Sequence, residues 1–290
     1  MKTRNINIEL KAVLVAPVTL QARSLSWSRV GLARAMWLGA FGASWGVTPA
    51  LALDEAAPHG APTAAVMAAP AALRAPVRKA NFGQEHASSD ARHVADWVID
   101  ARDNRGLPFA IVDKVDAKVY VFYADGRLRG ASPALLGSAV GDDSVPGIGK
   151  RPLSSILPEE RTTPAGRFVA DLDKNLKGKQ MLWVDYDSAI SLHPVVTSKA
   201  DERRAERLAS STPLDNRISY GCINVPPAFF KKVVSPAFTK TSAIVYVLPE
   251  TRSPQEVFGS YDVEERARVL QARQADAGLP AQLAAQAGAN

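Results

Sequence analysis

Between residues 109 and 248 the chain runs mostly in short apolar or alternating stretches, bounded by glycine, proline, asparagine and aspartate, the pattern of β-strands and turns. Residues 109–112 are wholly apolar. Lys118-Val119-Tyr120-Val121-Phe122-Tyr123 joins β-branched to aromatic residues, and Ala124-Asp125-Gly126 behind it predicts a hairpin turn. Further strands are predicted at 135–140, 166–172, 181–186, 189–193 and 241–248, with Tyr120, Phe122, Trp183 and Tyr186 as core and rim residues. Helical spacing is rarer. Ser88-Ser89-Asp90 offers an N-cap, and Val94, Trp97 and Val98 recur at helical intervals, which predicts a helix over 90–102. Residues 199–209 and 228–234, the latter after Pro226-Pro227, are the helices that interrupt the strands, and a polar helix is predicted at 263–277. There is no internal repeat. Many strands of antiparallel type with few short helices predict an α+β domain, a mostly antiparallel β sandwich or barrel-like sheet.

The flanks read differently. Basic residues through Arg34 precede the apolar run Ala35-Met36-Trp37-Leu38-Gly39-Ala40-Phe41-Gly42-Ala43, and Ala50-Leu51-Ala52 follows as a small-X-small cleavage site. Residues 1–52 therefore read as a secretory signal removed after Ala52, with an uncleaved anchor as the alternative. The run is shorter than the ~20 apolar residues a membrane span needs. Residues 53–89, rich in alanine and proline and without a period, read as a disordered linker. The domain is expected over 90–249, and 250–290 as a solvated helical tail. An exported chain of this kind belongs in a bacterial periplasm or cell-wall space, with no membrane span after cleavage, as a monomer.

Charge adds little beyond this. The chain of 290 residues has a formal charge of +6, but residues 1–52 hold six basic residues and one acid, which leaves 29 basic against 28 acidic. No polycationic face remains to attract phosphates, which excludes nucleic acid as a partner. The hydrophobic fraction of 47% is ample for a core.

The candidate chemistry centres on the single cysteine, in Ser219-Tyr220-Gly221-Cys222-Ile223-Asn224. A lone cysteine is commonly a small buried hydrophobe. Exported proteins, however, pair their cysteines or omit them, so a leftover thiol points to chemistry. Gly221 leaves room for a carbonyl to approach the sulfur and lets backbone N–H groups turn toward one point. Ser191-Leu192-His193-Pro194 supplies a histidine at a strand end, the partner a thiol of ordinary pKa ~8.5 needs to become a thiolate. The other histidines, His59, His86 and His93, form no i, i+4 pair, and no carboxylate or second cysteine sits at metal-ligand spacing, so neither metal nor cofactor is expected. Gly137-Ser138-Ala139-Val140-Gly141 lacks the lysine of a phosphate loop. Asp185 and Asp187 read as turn residues. The long polar loop 141–162 is placed to frame one side of a cleft, and 195–218 to form a wall or lid, with Asp201-Glu202-Arg203-Arg204 on its outside.

Ser-Tyr-Gly-Cys-Ile-Asn resembles the Ser/Thr-X-Gly-Cys-hydrophobic-Arg/Asn signature of the L,D-transpeptidase (YkuD-type) catalytic domain. His193 matches the histidine ahead of that signature, and Thr163-Pro164-Ala165-Gly166-Arg167-Phe168 the family's Thr-Pro-X-Gly-X-Phe element. The three motifs stand in the family's order, and the resemblance spans roughly residues 108–249. The chain departs from the family in Pro194, where glycine is usual, in Tyr220, where histidine is common, and in a longer His-to-Cys segment. The resemblance implies Cys222 as nucleophile, His193 as general base and acid, the backbone at Gly221 and Cys222 as oxyanion donors, and Ser219, Tyr220 and Asn224 at the substrate pocket. It implies peptidoglycan stem peptides as partners: release of D-alanine, a thioester on Cys222, and transfer to an amine. The alternatives are carboxypeptidase or endopeptidase action on water, and a wall-binding domain without turnover.

Overall fold

The computed structural model describes residues 76–274. The signal and its cleavage site, residues 53–75 of the linker and residues 275–290 of the tail lie outside them. Ten strands are present among the described residues: β1 (Phe109–Asp113), β2 (Lys118–Phe122), β3 (Leu128–Pro133), β4 (Leu136–Gly137), β5 (Gly166–Lys174), β6 (Gln180–Asp185), β7 (Ile190–Pro194), β8 (Arg217–Ser219), β9 (Ile223–Val225) and β10 (Ala243–Val247). Eight form one sheet in the order β3-β2-β1-β10-β5-β6-β7-β9, and β4 pairs with β8 alongside. Five neighbouring pairs of the large sheet are antiparallel, while β1/β10 and β7/β9 are parallel. The sheet is curled. Asn224 of β9 exchanges two backbone hydrogen bonds of 2.8 Å with Leu135, just beyond β3 at the other edge. The result is a nearly closed, barrel-like sandwich of the predicted α+β class.

Strand periodicity divides the core in two. Ala110, Val112, Val119, Val121, Leu182, Leu192, Ile223 and Val245 face inward and meet Phe230, Val234 and Phe238. Those three lie on a helix running from Pro227–Phe229 through a π-helical turn at Phe230–Val234 into Ser235–Phe238. Phe109, Ile111, Tyr120, Phe122, Ile244 and Tyr246 point the other way, beneath Val94, Trp97 and Val98 of α1 (Ser89–Ala101). Burial on both faces explains the uninterrupted apolar run at 109–112. The Ser88 hydroxyl accepts the Ala91 N–H at 3.1 Å, as the N-cap prediction requires, and left-handed Arg102 (φ 57°) ends the helix.

Several expectations change. The strand predicted at 135–140 shrinks to Leu136–Gly137, because the backbone of Arg161 and Thr162 crosses it so closely that a Cβ on Gly137 would lie 2.2 Å from the Arg161 carbonyl oxygen. Strand β3 carries no apolar alternation, and β8 and β9 have only three residues each, too few for a periodicity to mark them. The linker ends well before residue 89: the Phe82 ring packs edge-on against Tyr120 and Phe122 at 5.5 and 5.1 Å, and the Ala80 N–H is held by Asp96. The segment after residue 249 is part of the domain rather than a solvated tail. Phe258 stacks on Trp97 at 6.4 Å, and Val263, in a helix over 263–274, is buried; Tyr261 and Arg266 both bind the Asp100 carboxylate. No helix among the described residues is long and apolar enough to cross a membrane.

Candidate active site

β7 and β9 lie parallel, with Leu192 opposite Ile223 and His193 opposite Asn224. Alternation sends Leu192 and Ile223 into the core, which leaves Ser191, His193 and Asn224 on the opposite face. Cys222, one residue ahead of β9, falls beside Ser191, with Sγ 3.7 Å from the Ser191 hydroxyl and 3.7 Å from the Ala189 carbonyl. His193, two residues along the same strand on the same face, is near enough to the thiol for the two groups to shift each other's ionisation. The two residues singled out in the sequence, 29 positions apart, thus meet through strand pairing.

The tautomer of His193 follows from its neighbour. Nδ1 lies 2.9 Å from the Pro194 carbonyl oxygen, which only accepts, so Nδ1 carries the proton and Nε2 is the basic nitrogen. Burial works against ionising Cys222, but the hydrogen bond and charge of His193, with the backbone and hydroxyl of Ser191, outweigh it and hold the thiol below the ordinary cysteine value. Burial likewise opposes the imidazolium. Contact with Cys222 and the Pro194 carbonyl overcomes it and raises His193 above the usual histidine value, while the charge of Arg204 pulls the other way. The pair is biased toward thiolate and imidazolium.

Gly221 has φ +122°, and a Cβ there would lie 2.6 Å from the Thr162 carbonyl oxygen and 2.7 Å from Ile190 Cδ1. Only glycine satisfies both the dihedral and the space. Its carbonyl accepts the buried Thr163 hydroxyl at 2.8 Å, and the same hydroxyl oxygen accepts the Gly137 N–H at 2.9 Å. A trans peptide points its N–H opposite its C=O, so anchoring Gly221 on Thr163 turns the Cys222 N–H away from the core. The Gly221 N–H, expected as a second oxyanion donor, is instead bound to the Ser219 hydroxyl oxygen at 3.0 Å. Ser219 is buried and donates to the Cys222 carbonyl at 2.6 Å, so it braces the turn from within. Asn224 is also buried, with its amide nitrogen 3.3 Å from both His193 Nε2 and the Cys222 carbonyl. Of these three, Tyr220 alone is not buried. Its ring lies 4.1 Å from the Arg161 guanidinium, which places the 141–162 loop at this edge of the site.

Three contributors were not legible as site residues. Ser191 sits two positions before His193, a period-2 signal for the same face. Thr163 opens the Thr-Pro-Ala-Gly element without any cue to its bond to Gly221. Arg204 was expected on the outside of the insert. Thr163→Val keeps the volume and leaves the buried Gly137 N–H and Gly221 carbonyl without that partner. A stability loss of about 1–3 kcal/mol for each is expected, and thermal unfolding measures it.

No protein-family model matches the chain, and no curated protein matches it. In structure it is similar to a group of proteins that includes L,D-transpeptidase catalytic domains. Among them are the helical cell shape determining protein Pgp2 from Campylobacter jejuni (16% identity, TM-score 0.34, over 51% of this chain and 49% of that one) and the catalytic domain of the E. faecium L,D-transpeptidase (16%, 0.29, 48% and 96%). A third is the L,D-transpeptidase LdtMt1 in complex with imipenem (15%, 0.29, 49% and 58%). The chain spans about half the length of the Campylobacter protein. These likenesses are distant, and the chemistry of the site rests on its own residues.

Proposed function

We propose that this chain is an L,D-transpeptidase-like cysteine acyltransferase of the periplasm, acting on peptidoglycan stem peptides. The observation that carries the reading is the Cys222–His193 pair, with Nδ1 pinned to the Pro194 carbonyl so that Nε2 is left to take the thiol proton. Sγ attacks the carbonyl carbon of the amide joining the L-centre of a diamino acid to a terminal D-alanine. The Cys222 N–H is the candidate donor to the oxyanion, and the turn of Gly221 on Thr163 sets its direction. Collapse breaks the C–N bond, and His193 hands its proton to the departing nitrogen. D-alanine leaves and a thioester remains on Cys222. An amine from a second stem then attacks the thioester carbonyl, gives up a proton to His193 and expels the thiolate, which is reprotonated. Water in place of the amine gives carboxypeptidase or endopeptidase action at the same pair.

Purified protein incubated with a tetrapeptide stem tests this. Free D-alanine, with a transient mass increase on the peptide containing Gly221-Cys222, is the expected result. Absence of both, with no acylation by a carbapenem, would leave the wall-binding reading. Cross-linked dimer against trimmed monomer in the products separates amine from water as acceptor.

A further inference from the structure

The run Asp201-Glu202-Arg203-Arg204 does not lie wholly on the outside of the insert. Arg204 opens α2 (Arg204–Ala209), and its side chain is only 14% exposed, folded inward against β9. There Nη1 donates to Asn224 Oδ1 at 2.7 Å, while Nε is paired with Glu202. Because a guanidinium only donates, this contact decides which way the Asn224 amide faces: oxygen to Arg204, NH₂ to His193 Nε2 and the Cys222 carbonyl. The amide that touches the basic nitrogen of the pair is thereby oriented from the His-to-Cys insert.

We propose that Arg204 is a positioning residue for His193, holding the Asn224 NH₂ against Nε2 and so tuning how readily that nitrogen takes the thiol proton. This rests on the acyltransferase reading for its purpose, though not for its physics. An NH₂ group facing Nε2 suits the neutral imidazole, which accepts there, and opposes the imidazolium, which carries a proton there. The charge of Arg204 acts in the same sense. Around His193, the thiol of Cys222 and the Pro194 carbonyl favour the imidazolium, Arg204 opposes it, and Glu202 partly neutralises Arg204. The insert therefore offsets the bias of the Cys–His pair and keeps Nε2 available as a base. Removing Arg204 frees Asn224 to turn its oxygen toward the Nε2 proton and locks the pair in its charged form. Proton return to the departing nitrogen then becomes harder, because the imidazolium is a weaker acid.

The test is the NMR titration of the His193 ring in the full protein, without substrate, for wild type, Arg204→Met and Arg204→Lys. The His193 midpoint is expected to move upward in the Met variant, which cannot donate to Asn224 Oδ1, and to stay near wild type in the Lys variant, which still donates there and keeps the charge. An unchanged midpoint in a folded Met variant would overturn the proposal, as would an equal rise in the Lys variant. With the stem peptide, D-alanine release is expected to slow about tenfold in the Met variant, the scale of one charge-assisted hydrogen bond, with the alkaline limb of its pH profile displaced upward. Because the titration needs no turnover, it decides the role of Arg204 even if no stem peptide is cleaved.

Discussion

Cys222→Ala is expected to fold as wild type does, to release no D-alanine and to take up no carbapenem, while the wild type takes up one equivalent. Cys222 borders the interior without being part of either hydrophobic cluster, so trimming its sulfur opens no core cavity. Its backbone carbonyl keeps Ser219 and Asn224 as partners, and the turn keeps its anchor on Thr163. Stability is expected to change by less than about 1 kcal/mol, a small-residue change outside the core. His193→Ala separates base from nucleophile. It leaves a thiol that burial discourages from ionising, and acylation is expected to slow by roughly 10²–10⁴-fold, the usual worth of a positioned general base. Intact-mass kinetics measure both variants. An adduct on the Cys222→Ala protein would place the nucleophile elsewhere, and an unchanged rate for His193→Ala would remove it from the chemistry.

How much of this was written in the sequence depends on the range of the interaction. Strands β1, β2 and β10 announce themselves as unbroken apolar runs because both of their faces are buried, and β5, β6 and β7 by an apolar residue at every second position. Helix α1 does so through Ser88 and its apolar stripe. Cys222 and His193 stood out because a thiol beside glycine and a strand-end histidine are unusual in composition. What stayed hidden was settled by pairing across long sequence separations. β9 is only three residues long and owes its existence to β7 and to Leu135, contacts no local pattern encodes. Asn224 reads as a pocket residue from its motif, yet its register opposite His193 buries it. Arg204 lies in a charged run that suits a solvated helix, and only the fold of the insert brings it to Asn224. The segment 76–87 was lost to composition: Ala and Pro suggest a tether, whereas Phe82 and the backbone of Asn81 tie it to the sheet.

Lys114→Met is expected to cost about 3–5 kcal/mol of stability, the scale for breaking a buried ion pair from one side. Lys114 is fully buried, and its ammonium meets Asp142 at 2.8 Å and Glu250 at 3.3 Å, the two carboxylates being 1% and 5% exposed. It also donates to the carbonyls of Gly141 and Thr163 at 2.6 and 3.0 Å. Methionine fills much of the space and leaves two buried carboxylates near each other, with Arg217 still paired to Glu250 and half-exposed Arg252 to Asp142 at 3.6 Å. For a domain of this size that corresponds to a fall in Tm of about 10 °C, whereas Arg127→Ala, which breaks an exposed pair with Asp125, is expected to cost less than about 1 kcal/mol. Acid exposes the same cluster. Burial pushes the Asp142 carboxyl up, but Lys114, the Thr251 hydroxyl and the N–H groups of Glu250 and Thr251 outweigh it and hold the carboxyl well below the usual carboxylate range. A depressed folded value gives stability that is fully present above the unfolded carboxylate pKa of ~3.9 and is lost as pH falls below it. Denaturant unfolding at pH 7 and through that acid window reads both effects. Wild type should lose stability steeply below about pH 4, and Lys114→Met, already without its buried ammonium, should lose less over the same interval. Because Lys114 also holds the Thr163 carbonyl, and the Thr163 hydroxyl holds Gly221, the variant should acylate more slowly even where it remains folded. Wild-type acylation rates in folded Lys114→Met protein would show that the cluster supports the fold without reaching Cys222.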